Sequence, residues 1–272
     1  MTESSNLYRR RISTTNPGCI VILLDQSESM SRDYGGQRKD VAAADAVNKV
    51  LWEILEASQD GAEYHDRCDV GVIGYGLSVG PIVGGKISRI RQQAEEITVA
   101  ETQADGTDFE LTKLRWVEPK AENTTPMAKA FNQAYDLIHP WSKINLDSFP
   151  PIVINITDGM PNDLQHGGDG KETQAAAQRL LKLATKYGTT LVFNAHIGED
   201  ATQEIILPND EALLSDKYAK YLFQFSSEIP QPLFEFAVEA GFNPQIGARG
   251  MVYNAAAETL IKLLDFGSSQ FH

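Results

Sequence analysis

Asp25, Ser27 and Ser29 place three hard oxygen donors within five residues, where the apolar run Cys19–Leu24 gives way to a polar turn. This is the composition of half a magnesium site, because Mg²⁺ takes oxygen ligands in an octahedral array and keeps several waters. Asp and Ser are also ordinary turn and cap residues that bond their own backbone, so the stretch needs further donors to become a site. Two stand downstream: Thr125, just before Pro126, and Asp158, which closes the apolar run Ile152–Thr157. Two carboxylates would balance a divalent charge. Three neutral hydroxyls would fill positions without adding negative charge, which leaves the ion electrophilic. Calcium ordinarily recruits more carboxylates and carbonyls, so Mg²⁺ is the expected ion, with Mn²⁺ or Ca²⁺ as substitutes.

The surrounding segments must bring these donors together. Residues 38–58 carry Val41, Ala44, Val47, Val50, Leu51, Ile54 and Leu55 at the 3.6-residue period of an amphipathic helix. Residues 69–75, 152–157 and 189–198 are continuous rather than alternating apolar runs. Such runs are strands covered on both faces, hence a mostly parallel sheet between helix layers. The expected fold is a doubly wound, Rossmann-like α/β architecture with helices on both faces and one antiparallel edge strand, the last read from the Gly- and Pro-interrupted stretch 76–85. Thr125-Pro126 reads as a helix start, with Thr as N-cap and Pro at the first helical position, and Pro140, Pro150 and Pro151 mark the loop that follows. Helices are expected over 172–187, 232–240 and 256–264, and a short strand over 251–254. Segments 84–122 and 199–228 read as insertions, the first irregular or hairpin-like, the second helical around 210–225. Without repeats or a linker, residues 1–272 form one domain with its core over about 17–266. In such sheets ligands bind beyond the carboxyl ends of the strands, where the strand order reverses. Asp25 and Asp158 both occupy that kind of position, and converge if their strands are neighbours.

Asp25-Gln26-Ser27-Glu28-Ser29, then Thr125-Pro126, then Thr157-Asp158-Gly159, in that order, resembles a von Willebrand factor A (VWA) domain with its metal-ion-dependent adhesion site. The resemblance spans about residues 17–264. With TDGMPND and no secretion signal, the chain is most similar to bacterial intracellular VWA proteins of the tellurium-resistance type. The resemblance implies that Ser27 and Ser29 bind the ion directly, that Asp25 and Asp158 hold it directly or through water, and that Thr125 completes the set. The family usually has a small Gly-rich turn before this threonine, whereas here it is Glu122-Asn123-Thr124-Thr125, and Pro126 favours Thr125 over Thr124. The implied function is a non-enzymatic, Mg²⁺-dependent protein-interaction module that takes an acidic side chain of a partner. Implied partners include MoxR-like AAA+ ATPases and phosphorylation-linked stress or defence proteins. A further alternative is a scaffold with a vestigial metal site, docking through another face such as 199–228.

The formal charge of −13 argues against non-specific nucleic-acid binding. The three arginines near the N-terminus have no apolar segment behind them, and no run reaches the length of a membrane span, so the expectation is a cytoplasmic protein without a membrane role. Cys19 and Cys68, near strand starts, are expected as buried free thiols.

Three other patterns carry chemistry. Gly76-Leu77-Ser78-Val79-Gly80 matches a nucleophile elbow, and a serine hydrolase using Ser78, His196 and an aspartate such as Asp158 is the alternative function. An elbow must enter a helix, however, and Pro81-Ile82-Val83-Gly84-Gly85 follows here. Gly80 to Lys86 has phosphate-loop spacing, but Ile87 stands where a Mg²⁺-binding hydroxyl is required. The five histidines (His65, His139, His166, His196, His272) show no zinc spacing. Asp163 and Asp169 border the candidate site as turn formers.

Overall fold

The computed structural model describes residues 6–102, 108–198 and 204–271. The chain runs β1 (Gly18–Asp25), α1 (Lys39–Ala57), β2 (Cys68–Tyr75), β3 (Val79–Lys86), α2 (Ile87–Gln93), β4 (Glu95–Thr102), β5 (Asp108–Arg115), α3 (Met127–Ile144), β6 (Ile152–Thr157), α4 (Lys171–Leu181), β7 (Leu191–Ile197), β8 (Ile205–Ile206), α5 (Lys217–Phe223), α6 (Phe234–Glu239), β9 (Met251–Ala255) and α7 (Ala257–Ser268), besides short ribbons and 3₁₀ turns. Seven strands form the main sheet in the order β8-β9-β7-β6-β1-β2-β3. The inner five are parallel, and the expected antiparallel edge strand is β3. A second antiparallel strand, the two-residue β8, lies on the opposite edge. It is too short to carry a periodic signal in the sequence.

From β1 the chain moves to β2 on one side, and it later adds β6 on the other, so the order reverses between β1 and β6. Leu24 is in register with Ile156. Asp25 and the Thr157-Asp158 pair therefore leave adjacent strands side by side.

Every residue of β1 is buried, which explains the unbroken apolar run. Successive side chains serve opposite faces of the sheet. Ile20, Ile22 and Leu24 join the core beneath α1 and α7, with Val47, Val50, Leu51, Leu260 and Leu263. Cys19, Val21 and Leu23 join the core beneath α3 and α4, with Phe131, Ala134, Ala177 and Leu180. Both cysteines are free and buried. Tyr34, from the loop after β1, donates its hydroxyl to the Ala255 carbonyl at 2.6 Å, which ties the start of the fold to its last strand.

Several local expectations are corrected. The N-cap of α3 is Pro126 and the helix starts at Met127, so Thr125 is not the cap and Pro126 is not in the first turn. The reason is that Asn162 takes both backbone groups of Thr125, accepting from its N–H at 2.8 Å and donating to its carbonyl at 3.0 Å. The same helix runs through Pro140 to Ile144 instead of ending before it. Pro140 and Asp136, four residues before it, are both exposed, so the carbonyl that proline leaves without a donor is open to water. The seven-residue α2 was not expected, since Ile87-Ser88-Arg89-Ile90-Arg91 buries only its two isoleucines. α4 stops at Leu181 rather than 187, because residues 184–189 form a small antiparallel ribbon. The 84–122 segment holds the hairpin β4–β5, paired from Glu95↔Arg115 to Thr102↔Asp108. Residues 103–107 and 199–203 of the two insertions, and His272, lie outside the described residues. Among the described residues no helix is long and apolar enough to cross a membrane.

Candidate metal centre

β1 ends on Asp25, which is 1% exposed. Its Oδ1 accepts the Ser27 backbone N–H at 2.8 Å, folding the next residues back over the strand end as an aspartate turn does. A short 3₁₀ turn over Glu28–Ser31 follows, fixed by the fully buried side chain of Met30. With Met30 pointing into the core, Ser27 and Ser29 lie together on the outer side, their hydroxyl oxygens 3.1 Å apart. The i, i+2 spacing of Ser27 and Ser29, with Met30 anchoring the turn, thus places two hydroxyls beside one carboxylate.

Backbone bonds stitch the second loop to the first. Glu122 N–H donates to Gln26 at 2.6 Å, and Glu28 N–H donates to Asn123 at 3.0 Å. Asn123 has φ of +68°. It adopts the left-handed conformation that a glycine-rich turn would supply, and asparagine is among the residues that tolerate it best. Asn162, from the third loop, holds the Thr125 backbone and donates from Nδ2 to the Thr124 hydroxyl at 3.2 Å. Thr124 therefore faces the third loop, whereas Thr125 is buried at 3% exposure. A Cβ added at Gly159 would lie 3.5 Å from Ser29 Oγ and 3.7 Å from Thr125 Oγ1. Both hydroxyls therefore flank the residue after Asp158.

Asp158 closes the constellation. Its Oδ1 accepts the Ser29 hydroxyl at 2.6 Å. Its Oδ2 accepts the Lys39 ammonium at 2.9 Å, in an ion pair with side chains 2% and 0% exposed. The structure therefore brings Asp25, Ser27, Ser29, Thr125 and Asp158 to one place, and it adds Lys39. Thr157 also belongs to the site, its hydroxyl donating to Asp25 Oδ2 at 2.7 Å. So does Tyr218, from the 199–228 insertion, whose hydroxyl donates to the Gly159 carbonyl. Of these three, Lys39 and Tyr218 were not singled out in the sequence, and Thr157 was named there only as part of Thr157-Asp158-Gly159, with no role of its own. Lys39 alone left a signal there, as a cation in the first turn of a helix, where the dipole opposes it.

Electrostatics match this packing. Burial pushes the Asp25 carboxyl up to about 7 and the Asp158 charge adds to that, while the hydrogen bonds from Ser27 and Thr157 pull the other way. His196, at the end of β7, stacks on Tyr253 with centroids 4.2 Å apart. Its Nδ1 accepts the Asn254 N–H at 3.2 Å. Burial lowers its pKa to about 4, so the ring is neutral near pH 7. The donor chemistry fits a hard divalent cation: two buried carboxylates and three hydroxyls converge, and Asp25 receives only a backbone N–H and hydroxyl hydrogens at its oxygens. Among the described residues no group of three or more His, Cys, Asp and Glu is placed to hold a metal, so a cation here would depend on the hydroxyls.

Other sequence candidates fall elsewhere. Ser78 is exposed between β2 and β3, and a strand rather than a helix follows it. His196 lies on β7, three strands away from β2 in the sheet order, or about 14 Å at ordinary strand spacing. Ser78 and His196 are therefore not brought together as nucleophile and base. Asp163 accepts from the Thr173 N–H at 2.9 Å and its hydroxyl at 2.6 Å, and so serves the start of α4. Asp169 pairs with Lys171 on the surface.

No protein-family model matches the chain, and no curated protein matches it. Among solved structures, it is similar to the pilus adhesin SpaC from Lactobacillus rhamnosus GG, at 17% identity and a TM-score of 0.45, over 69% of this chain and 25% of that one. It is also similar to the manganese-loaded TRAP protein of Plasmodium vivax, at 16% identity and a TM-score of 0.39, over 72% and 67%. A third is the vWF domain of the pilus tip protein Mfa5 from Porphyromonas gingivalis, at 13% identity and a TM-score of 0.34, over 53% and 38%. The chain spans about two fifths of that Mfa5 structure and a quarter of the SpaC chain. Superpositions this loose leave the reading of the site to its own residues.

Proposed function

We propose that this chain is a VWA-type protein-interaction module in which Asp25, Ser27, Ser29, Thr125 and Asp158 hold Mg²⁺ and, through it, an acidic side chain of a protein partner. The observation that carries this reading is the meeting of Ser29 with Asp158 at 2.6 Å, beside the buried Thr125, at the carboxyl ends of two central strands. When bound, the ion supplies a Lewis-acidic position for an incoming carboxylate. The chain's own residues supply the rest. Asp25 and Asp158 provide the negative charge, the hydroxyls provide neutral donors, and the Gln26–Glu122 and Thr125–Asn162 backbone bonds keep the three loops in step. Leu77 and Met160, 64% and 46% exposed on the loops after β2 and β6, give the docking face an apolar rim.

The module acts by binding, without a reaction of its own, in the cytoplasm of a bacterial cell. A MoxR-like AAA+ ATPase or a phosphorylation-linked stress or defence protein is the class of partner that its sequence resemblance implies. Calorimetric titration of Mg²⁺ should give a binding isotherm with the native chain and none with Asp25→Ala or Asp158→Ala; superimposable isotherms would remove the metal from this reading. Affinity capture from the native cell, with and without chelator, should yield a partner only without chelator.

A further inference from the structure

We propose that Lys39 is the resident cation of this site: its ammonium holds Asp158 when no divalent ion does, and a divalent ion binds by taking its place. The inference rests on the reading of the five oxygen donors as a cation site. The ammonium lies 2.9 Å from Asp158 Oδ2, and the Ser29 hydroxyl lies 2.6 Å from Oδ1, so both oxygens of that carboxylate are engaged. Each oxygen keeps a second acceptor site, so an ion could reach Asp158 beside the hydroxyl, but not without meeting the ammonium. If it displaced Ser29 and left Lys39, a dication and an ammonium would share one carboxylate in a buried setting, where their repulsion is weakly screened.

The placement of Lys39 argues that the pair belongs to the site rather than to the helix. Lys39 is in the first turn of α1, where the helix dipole disfavours a positive charge. The acidic residue beside it in that turn, Asp40, is occupied by Arg38, with contacts of 2.9 and 2.6 Å. Arg38 keeps its side chain 54% exposed, while Lys39 is sealed at 2%. A buried ammonium at a helix N-terminus is doubly unfavourable, and the charge it meets is a carboxylate of the proposed ion shell. Of the two carboxylates, Asp158 already has its charge met by the chain's own ammonium. Lys39 would thus set a threshold, keeping metal affinity below what the five donors alone would give.

The test combines a variant with a measurement on the native chain. Mn²⁺ is titrated, with free ion followed by electron paramagnetic resonance, into the native protein and Lys39→Met. Reductive methylation of lysines is then mapped by mass spectrometry in the native protein, with and without saturating Mn²⁺. Lys39→Met should bind Mn²⁺ at least tenfold more tightly. In the native chain Lys39 should resist methylation without the ion and become modified with it. Equal or weaker binding by Lys39→Met, or a Lys39 that stays protected while Mn²⁺ is bound, would overturn the exchange yet leave metal-dependent docking intact. Binding by the variant alone would overturn the exchange, since no divalent ion then takes the place of Lys39 in the native chain, and would remove metal-dependent docking with it. Binding by neither overturns both. The methylation arm needs no variant, so it decides the matter even if Lys39→Met does not fold.

Discussion

The Ser29 hydroxyl and the Asp158 carboxylate meet at 2.6 Å across 129 positions of sequence. Together with the Lys39 contact at 2.9 Å, this engages both oxygens of a side chain that is 0% exposed. Asp158→Ala therefore removes a carboxylate that a buried ammonium meets. Removing one partner of such a pair costs about 3–5 kcal/mol, and urea denaturation should show a loss of that order. Adding Lys39→Met to Asp158→Ala should recover part of it. A loss below about 1 kcal/mol for Asp158→Ala would mean that the pair is not held as described.

Gly159→Ala separates stability from ion binding. The added methyl would meet Ser29 Oγ at 3.5 Å and Thr125 Oγ1 at 3.7 Å, which is ordinary contact distance. Thermal unfolding should stay close to that of the native chain. The methyl would nonetheless stand among the donors, and Mg²⁺ affinity measured by calorimetry should fall roughly tenfold or more, because Mg²⁺ demands near-ideal geometry and retained waters.

Tyr218→Phe tests how the insertion supports the site. The variant removes the hydroxyl that donates to the Gly159 carbonyl, a loss of about 1 kcal/mol in stability. Amide exchange of residues 159–162 should accelerate in this variant, while the strand amides of β1 and β6 should keep their protection.

His196 makes stability depend on pH. Its folded pKa is about 4 and its ordinary value is 6.5, the shift coming mainly from burial. Between these values the unfolded chain binds the proton and the folded chain does not. The stabilisation is thus complete above about pH 6.5, and falls away as pH drops towards 4, by on the order of 3 kcal/mol. His196→Phe, which keeps a ring against Tyr253, should flatten this part of the stability curve. An unchanged slope between pH 4 and 6.5 would assign it to other groups.

A fluorophosphonate probe should leave Ser78 unmodified, since His196 lies three strands away from β2. Labelling that disappears in Ser78→Ala would restore the hydrolase.

The architecture was legible because β1, β2, β6 and β7 are buried on both faces, and such burial writes continuous apolar runs. The five oxygen donors were legible for a related reason: each sits where an apolar run or a helix abuts a polar loop. The role of Lys39 was not, because its place in a first helical turn marks it as unusual but does not point to a partner 119 positions away. Thr157 reads as one more β-branched strand residue until Asp25 Oδ2 is found 2.7 Å from its hydroxyl. Tyr218 lies in an insertion with weak periodicity, and its role depends on a carbonyl 59 positions earlier. The end of α3 is not legible from Pro140, because the carbonyl of Asp136 that the proline leaves without a donor belongs to an exposed residue, and the helix continues past it.

The bond from Tyr34 to Ala255 spans 221 positions. During synthesis, a chain that has emerged only as far as α3 carries Asp25, Ser27, Ser29 and Thr125 but neither Asp158 nor the last strand. The cation site therefore cannot be assembled by a nascent or truncated chain, because its contacts are among the most distant in sequence and form only once the intervening loop entropy has been overcome. Ion binding would accordingly report that the chain has passed Asp158, and a fragment ending before β6 should be silent to Mg²⁺ however well its first helices form.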